Sequence, residues 1–370
     1  MKREYSERER YLLWLGFALG PGAKRYGRIL AAFDGDARAA YEAAGRHDLP
    51  PECGLKSALA EKLCASANER FLNGCFKRLL ELDVSAAALE SPEYPVLLKE
   101  IYDPPPVLYY RGTLLAEPAL PIAVVGSRTP TEYGRKMAHA LSHTLSESGA
   151  CIISGLAYGV DCIAALGALA AEDNPYPTIA VLGCGADVIY PAANRDVYEK
   201  IVARGAVVSE FLPGTKAFSS NFPMRNRIIS GLSRGVLVVE AAAKSGTLIT
   251  VDCALEQGRD VFALPGRVTD EKSEGTNALL REGQAKFTVS AEDILEEYGG
   301  MHAVKARAVP EPEDLPLEQA LIRRLLLASE RSFDELCELT GLSVPLLNSS
   351  LTEMEFSGII KQSPGRVYSI

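Results

Sequence analysis

Between residues 121 and 287, short apolar runs alternate with segments of helical length. The runs are PIAVV (121–125), ACIISG (150–155), TIAVLGCG (178–185), AVVSEF (206–211), GVLVVEA (235–241) and DVFALPG (260–266). They are rich in Val, Ile and Ala, and most stop at Gly or a small polar residue. Continuous apolar runs of this length suit strands buried on both faces, as in parallel sheets. Segments 133–148, 161–171, 194–204 and 247–257 lie between them and read as helices. The alternation predicts an α/β fold with a doubly wound sheet. Such sheets hold ligands outside the carboxyl ends of their strands. Those ends here carry GSR, SGLAYGVD, GCGADVIYP, FSSNFPMRNR and KSGT, and function is sought there.

The flanks follow other patterns. Residues 7–85 read as helical, with an amphipathic segment at 7–19 and a Gly20-Pro21-Gly22 turn before a second helix near Ala23. Lys24 and Arg25 after that turn suit a phosphate at a helix start; a helical bundle whose turn needs glycine accounts for the pattern equally well. In 89–121, prolines 92, 95, 104, 105, 106, 118 and 121 forbid a continuous helix. VLYYRG reads as a strand, and Tyr94, Leu97, Leu98 and Ile101 suit a connector packed on the sheet. Residues 299–316, Gly-Gly followed by a Pro/Glu-rich run, form a linker. Beyond it come a helix over 318–329, a second opened by the capping-box spacing of Ser332 and Glu335, and a third running from Ser343 to about Phe356. A terminal hairpin over 359–370 completes a winged-helix pattern. The expected domains are therefore helical 1–88, sheet 89–298 with 89–121 as its connector, linker 299–316 and winged helix 317–370.

Charge narrows the choice of partners. The chain carries 39 basic and 48 acidic side chains, a formal charge of −9. Residues 1–121 and 122–290 each hold 16 basic against 17 acidic groups, while 311–370 hold 5 against 10. A nucleic acid must therefore meet a local basic cluster rather than a global field. No apolar run reaches the roughly 18 residues of a membrane span, and MKREYSERER is not followed by a signal-peptide core. A cytoplasmic protein is expected. The 8 cysteines show no CxxC. Cys53, Cys64 and Cys75 recur every 11 residues, a spacing that places them on one helical face, but no histidine has ligand spacing and no metal is expected.

Gly126-Ser127-Arg128 is not a dinucleotide fingerprint, and no GxxxxGK[ST] occurs. The turns instead suit anions. Gly126 and Ser127 are small at a strand end, and Arg128 adds a planar donor fork. Ser154 and Gly155 open a Gly-rich strand-to-helix turn, and Lys244-Ser245-Gly246-Thr247 places a lysine, hydroxyls and free N–H groups at another helix start. The segment 211–227 sets Lys216, Arg225 and Arg227 among Phe218, Phe222, Asn221 and Asn226, a mixture suited to tracking a single strand by charge and stacking. The same phenylalanines also suit a core beneath a long loop. None of the 4 histidines lies in a strand-end turn, Cys184 lacks an activating histidine, and Asp161 and Asp187 serve equally as acid/base or turn-organising carboxylates.

Taken together, VVGSR, SGLAYGVD, LGCGADVIYPAANRDVY, SEFLPGTKAFSSNFPMRNRIISGLS, VVEAAAKSGTLITVDCALEQGRDVFALPG and EGTNALLREGQAKF, in that order, resemble the DNA-processing protein A (DprA/Smf) family. The resemblance implies an extended Rossmann-like domain, an N-terminal helical domain of the sterile-alpha-motif or helix-hairpin-helix kind, and a C-terminal winged helix. It implies a non-enzymatic, single-stranded-DNA-binding protein of natural transformation, without cofactor, that protects incoming strands and helps load the RecA recombinase as a homodimer. By the same resemblance Arg128, Ser154, Gly155, Arg225, Arg227 and the 244–247 turn hold phosphate. A Rossmann-like hydrolase acting at a nucleotide phosphate is the alternative.

Overall fold

The computed structural model describes residues 3–299, 316–328, 331–356, 360–363 and 365–369, which fall into two compact units, 1–302 and 303–370. In the first, helices α1 (Glu7–Leu19), α2 (Ala23–Ala32), α3 (Ala37–Gly45), α4 (Ser57–Ser66) and α5 (Glu69–Glu81) precede β1 (Ser85–Ala88), the short α6 (Val96–Lys99) and β2 (Val107–Gly112). The alternating region follows as β3 (Pro121–Val125), α7 (Glu132–Glu147), β4 (Cys151–Ser154), α8 (Val160–Ala170), β5 (Thr178–Val181), α9 (Arg195–Arg204), β6 (Ala206–Ser209) and α10 (Asn221–Gly231). It continues through β7 (Gly235–Val238), α11 (Thr247–Glu256), β8 (Asp260–Ala263), α12 (Glu274–Arg281), β9 (Lys286–Phe287) and α13 (Ala291–Glu297).

The nine strands form one sheet in the order β1-β2-β6-β5-β4-β3-β7-β8-β9. From β6 to β9 every pairing is parallel, while β1 and β2 add an antiparallel edge through β2 on β6. The six expected strands are present, and the sheet extends past them at both ends. Burial on both faces is visible residue by residue. Ile122 and Val124 of β3 pack beside Leu141 and Leu145 of α7, while Ala123 and Val125 pack beside Ile228 of α10 and Val251 of α11. This is why these strands read as unbroken apolar runs.

β1 and β2 carry the helical bundle. Ala86, Ala88, Val107 and Tyr109 share a core with Leu12, Trp14 and Phe17, while Ala87, Leu108 and Tyr110 face the opposite core. The Trp14 indole donates to the Ser66 carbonyl at 3.1 Å and to its hydroxyl at 3.0 Å, so the buried N–H is satisfied. The connector therefore contributes β2 to the sheet as well as packing on it, and β1, inside the expected helical span 1–88, pairs with β2. Cys53, Cys64 and Cys75 lie on a 3-10 turn, α4 and α5, so their 11-residue spacing does not place them on one helical face as expected. Residues 221–227, read as loop, open α10 instead. Pro223 falls in its first turn, where a missing N–H costs no helical hydrogen bond.

In the second unit, α14 (Leu317–Ala328), β10 (Arg331–Ser332), α15 (Phe333–Thr340), α16 (Val344–Phe356), β11 (Lys361–Ser363) and β12 (Val367–Ser369) form a winged-helix arrangement. Ser332 and Glu335 make the expected reciprocal cap at the start of α15. The expected linker lies, apart from Gly299 and Pro316, outside the described residues. Among the described residues no helix is long and apolar enough to cross a membrane.

Candidate nucleic-acid interface

From β3 the chain winds outward through β4, β5 and β6, then returns to place β7 on the other side of β3. Connections leave β3 and β7 in opposite directions, which opens a crevice at their carboxyl ends. A cleft of about 620 Å³ lies there, reached by Gly126 and Arg128 after β3, Asp161 of α8, Phe222 and Asn226 of α10, and Ser245 to Thr247 before α11.

The turn after β3 is held from beneath. Ser127 N donates to the Glu240 carbonyl at 2.9 Å, and Val160 N donates to the Ser127 carbonyl at 3.1 Å. The buried Glu240 carboxylate accepts from Thr131 N at 3.0 Å and from the Thr131 hydroxyl. Thr131 in turn caps α7 by accepting from Gly134 N at 3.1 Å. Gly159, at φ 77°, lies so close that a Cβ would stand 2.3 Å from the Ser127 carbonyl oxygen. Within this frame Arg128 is exposed, with its guanidinium 5.9 Å from the centre of the Phe222 ring. The Tyr190 ring lies 5.5 Å from Phe222, which makes an aromatic pair at the cleft.

Arg225 is buried at 4% exposure. Its Nη1 donates to the Gly155 carbonyl at 2.9 Å and to that of Val181, while Nε donates to Asn226 Oδ1 at 3.2 Å. Asp161 is buried nearby and accepts from Gly155 N at 3.2 Å. Burial raises the Asp161 carboxyl above its ordinary range, with Arg225 opposing that shift, and burial lowers the Arg225 guanidinium. A Cβ on Gly155 would come within 2.7 Å of both side chains, so a larger residue would force one of these buried groups to shift.

The expected site residues thus divide. Gly126, Arg128, Phe222, Arg225, Asn226, Ser245, Gly246 and Thr247 meet at the cleft. Ser127 and Gly155 shape its turns. Ser154 donates its hydroxyl to the Asp161 carbonyl at 3.1 Å, and Asn221 donates to the Gly183 carbonyl at 3.1 Å, so both act from behind it. Lys216 and Lys244 are exposed on flanking loops. Arg227 is drawn elsewhere, with Nη2 on Glu210 at 2.5 Å and Nε on Asp103 at 3.1 Å. Glu240, Thr131 and Tyr190 were not expected. The acidic residue closing the apolar run VVE was the available sign of a buried, structural carboxylate.

Two candidate catalytic groups have other partners. Burial pushes the Cys184 thiol up to about 11, which keeps it protonated near neutrality. Asp187 accepts from Gly214 N at 2.8 Å and organises a loop.

Comparison with known proteins identifies the architecture. Residues 85–299 match the family described as DNA recombination-mediator protein A, and residues 305–366 match the DprA winged helix domain. Protein Smf from Synechocystis is 35% identical over 318 residues, covering 75% of this chain and 78% of that protein. The X-ray structure of DNA processing protein A from Streptococcus pneumoniae aligns at 33% identity and TM-score 0.65, covering 80% of this chain and 99% of that one. DNA processing protein A from Helicobacter pylori, solved for its single-stranded DNA binding mode, aligns at 31% identity and TM-score 0.53 over 59% of this chain and 97% of that one. On these matches the chain belongs to the DNA recombination-mediator protein A (DprA/Smf) family.

Proposed function

We propose that the cleft between β3 and β7 binds single-stranded DNA, and that the protein is a non-enzymatic, cytoplasmic mediator of natural transformation. In this reading it protects incoming strands as a homodimer and helps load the RecA recombinase onto them. The observation that carries the reading is Arg128 facing Phe222 across the cleft mouth, 5.9 Å apart. An exposed cation beside an aromatic pair, with Tyr190 exposed and Phe222 half-buried, supplies one phosphate contact and one stacking surface, the two elements of sequence-tolerant strand binding. Lys244, exposed on the turn before α11, adds a second cationic contact, while Thr247 N and Leu248 N at that helix start donate to Ser245 at 3.2 and 3.0 Å. Ser154, Asn221 and Arg225 contribute indirectly, by holding the turns on which these groups stand.

The test is fluorescence anisotropy with a labelled oligonucleotide, in competition with unlabelled single strand and with duplex of equal length. Single strand should displace the label at much lower concentration, across base compositions. Equal displacement by duplex rejects the reading. A mononucleotide turnover assay run beside it addresses the hydrolase alternative, which predicts release of phosphate. Loading is tested by whether the protein speeds RecA filament growth on a strand already covered by a single-strand-binding protein; no acceleration rejects that role.

A further inference from the structure

A second cavity, of about 610 Å³, opens between α5 and the loop that follows β6. Phe17, Phe71, Leu79 and Leu212 give it apolar walls, and Arg70 and Arg78 stand exposed at its rim, Arg78 at 3.9 Å from Glu81. Gly74 forms part of the wall from the middle of α5, where glycine weakens a helix. A Cβ at that position would meet nothing within 4 Å, so packing does not demand glycine. Its effect is to leave the cavity open.

The cavity and the cleft are joined by one loop. Pro213 lines the first and Ala217 lines the second. Four residues span at most about 14 Å of extended chain, so the two are close neighbours. The loop is fixed by Thr215 N donating to the Leu212 carbonyl at 3.0 Å, Gly185 N to the Thr215 carbonyl at 2.9 Å and Gly214 N to Asp187 at 2.8 Å. Lys216 and Phe218 are exposed on it, Phe218 at 56%. A cation and an aromatic ring on a fixed bridge, with arginines at the far end, match the chemistry that tracks a single strand.

We infer that this apolar cavity is a second subsite for the strand held in the cleft. It takes a nucleobase beyond the bridging loop, while Arg70 and Arg78 meet the adjoining phosphates. The inference rests on the cleft reading above. It is tested by anisotropy with oligodeoxythymidylates of roughly six nucleotides, enough for the cleft alone, and roughly twenty, enough to cross the loop. Gly74→Leu fills the cavity from a position where the new Cβ would meet nothing within 4 Å. The paired Arg70→Ala and Arg78→Ala variant removes the rim charges. Each variant should lose about tenfold in affinity for the long strand and keep that for the short one. The salt dependence with the long strand should fall only in the arginine variant. Unchanged long-strand affinity, or equal loss at both lengths, overturns the subsite and leaves the cavity to another ligand, such as an acidic peptide. Wild-type protein that binds neither length overturns the cleft reading with it. Thermal melting confirms each variant is folded; if Gly74→Leu is not, the exposed arginines carry the test.

Discussion

Arg225 donates through Nη1 to the Gly155 carbonyl at 2.9 Å and to the Val181 carbonyl, tying α10 to the ends of β4 and β5. Arg225, one of the residues expected to hold phosphate, is thus a buried brace. Arg225→Ala should unfold the cleft rather than merely weaken it. It leaves two buried carbonyls without this donor and Asp161 without its nearby cation, a loss on the order of 3–5 kcal/mol. The urea midpoint should fall accordingly; a loss below about 1 kcal/mol would show that the brace is dispensable.

Arg128→Ala should do the opposite. Its side chain is exposed at the cleft mouth, so stability should be unchanged while oligonucleotide affinity drops by about 1–3 kcal/mol and the salt slope falls by about one. Unchanged affinity and slope in the folded variant would remove Arg128 from the site.

Gly155→Ala should destabilise by about 1–3 kcal/mol, since its Cβ would press on the carboxylate of Asp161 and the guanidinium of Arg225. Thermal denaturation reads this directly. A wild-type melting temperature would mean that α10 can move aside without loss.

Lowering pH should strengthen oligonucleotide binding. Burial raises the folded-state pKa of Asp161 above its unfolded value, so this carboxyl takes up its proton at a pH where the unfolded chain would still be charged. Protonation leaves the positive charge of Arg225 less balanced at the cleft floor and favours a polyanion. The same shift means that the stability contributed by Asp161 is fully present below the unfolded pKa near 3.8 and lost as pH rises through the higher folded value. Affinity measured at constant salt should rise as pH falls, and the rise should flatten in Asp161→Asn. An identical pH profile in that variant would assign the effect to other groups.

Deleting residues 311–370 should leave affinity for single strands within about threefold. The segment holds 5 basic against 10 acidic side chains, and α16 and its approach, 340–356, contain no Lys or Arg. A far larger loss, with the truncated protein folded and of unchanged oligomeric state, would show that the winged helix itself contacts DNA.

Local pattern by itself determined the six central strands and most helices, but not the start of α10, which reads as loop, nor β1 within the helical span. Buried parallel strands must be apolar throughout and capped helices announce their starts, as at Ser332 with Glu335. It also marked the turns that meet at the cleft, because close backbone approach requires small residues, as at Gly126 and Gly155. Tertiary structure decided which charges face a ligand. Arg128, Arg225 and Arg227 look alike as residues in basic turns, yet one is exposed, one braces two strand ends and one pairs with Glu210 and Asp103. Their difference depends on carbonyls and carboxylates brought from strands and loops distant in sequence. The same holds for Glu240, whose carboxylate finds Thr131 only because β3 and β7 are neighbours in the sheet.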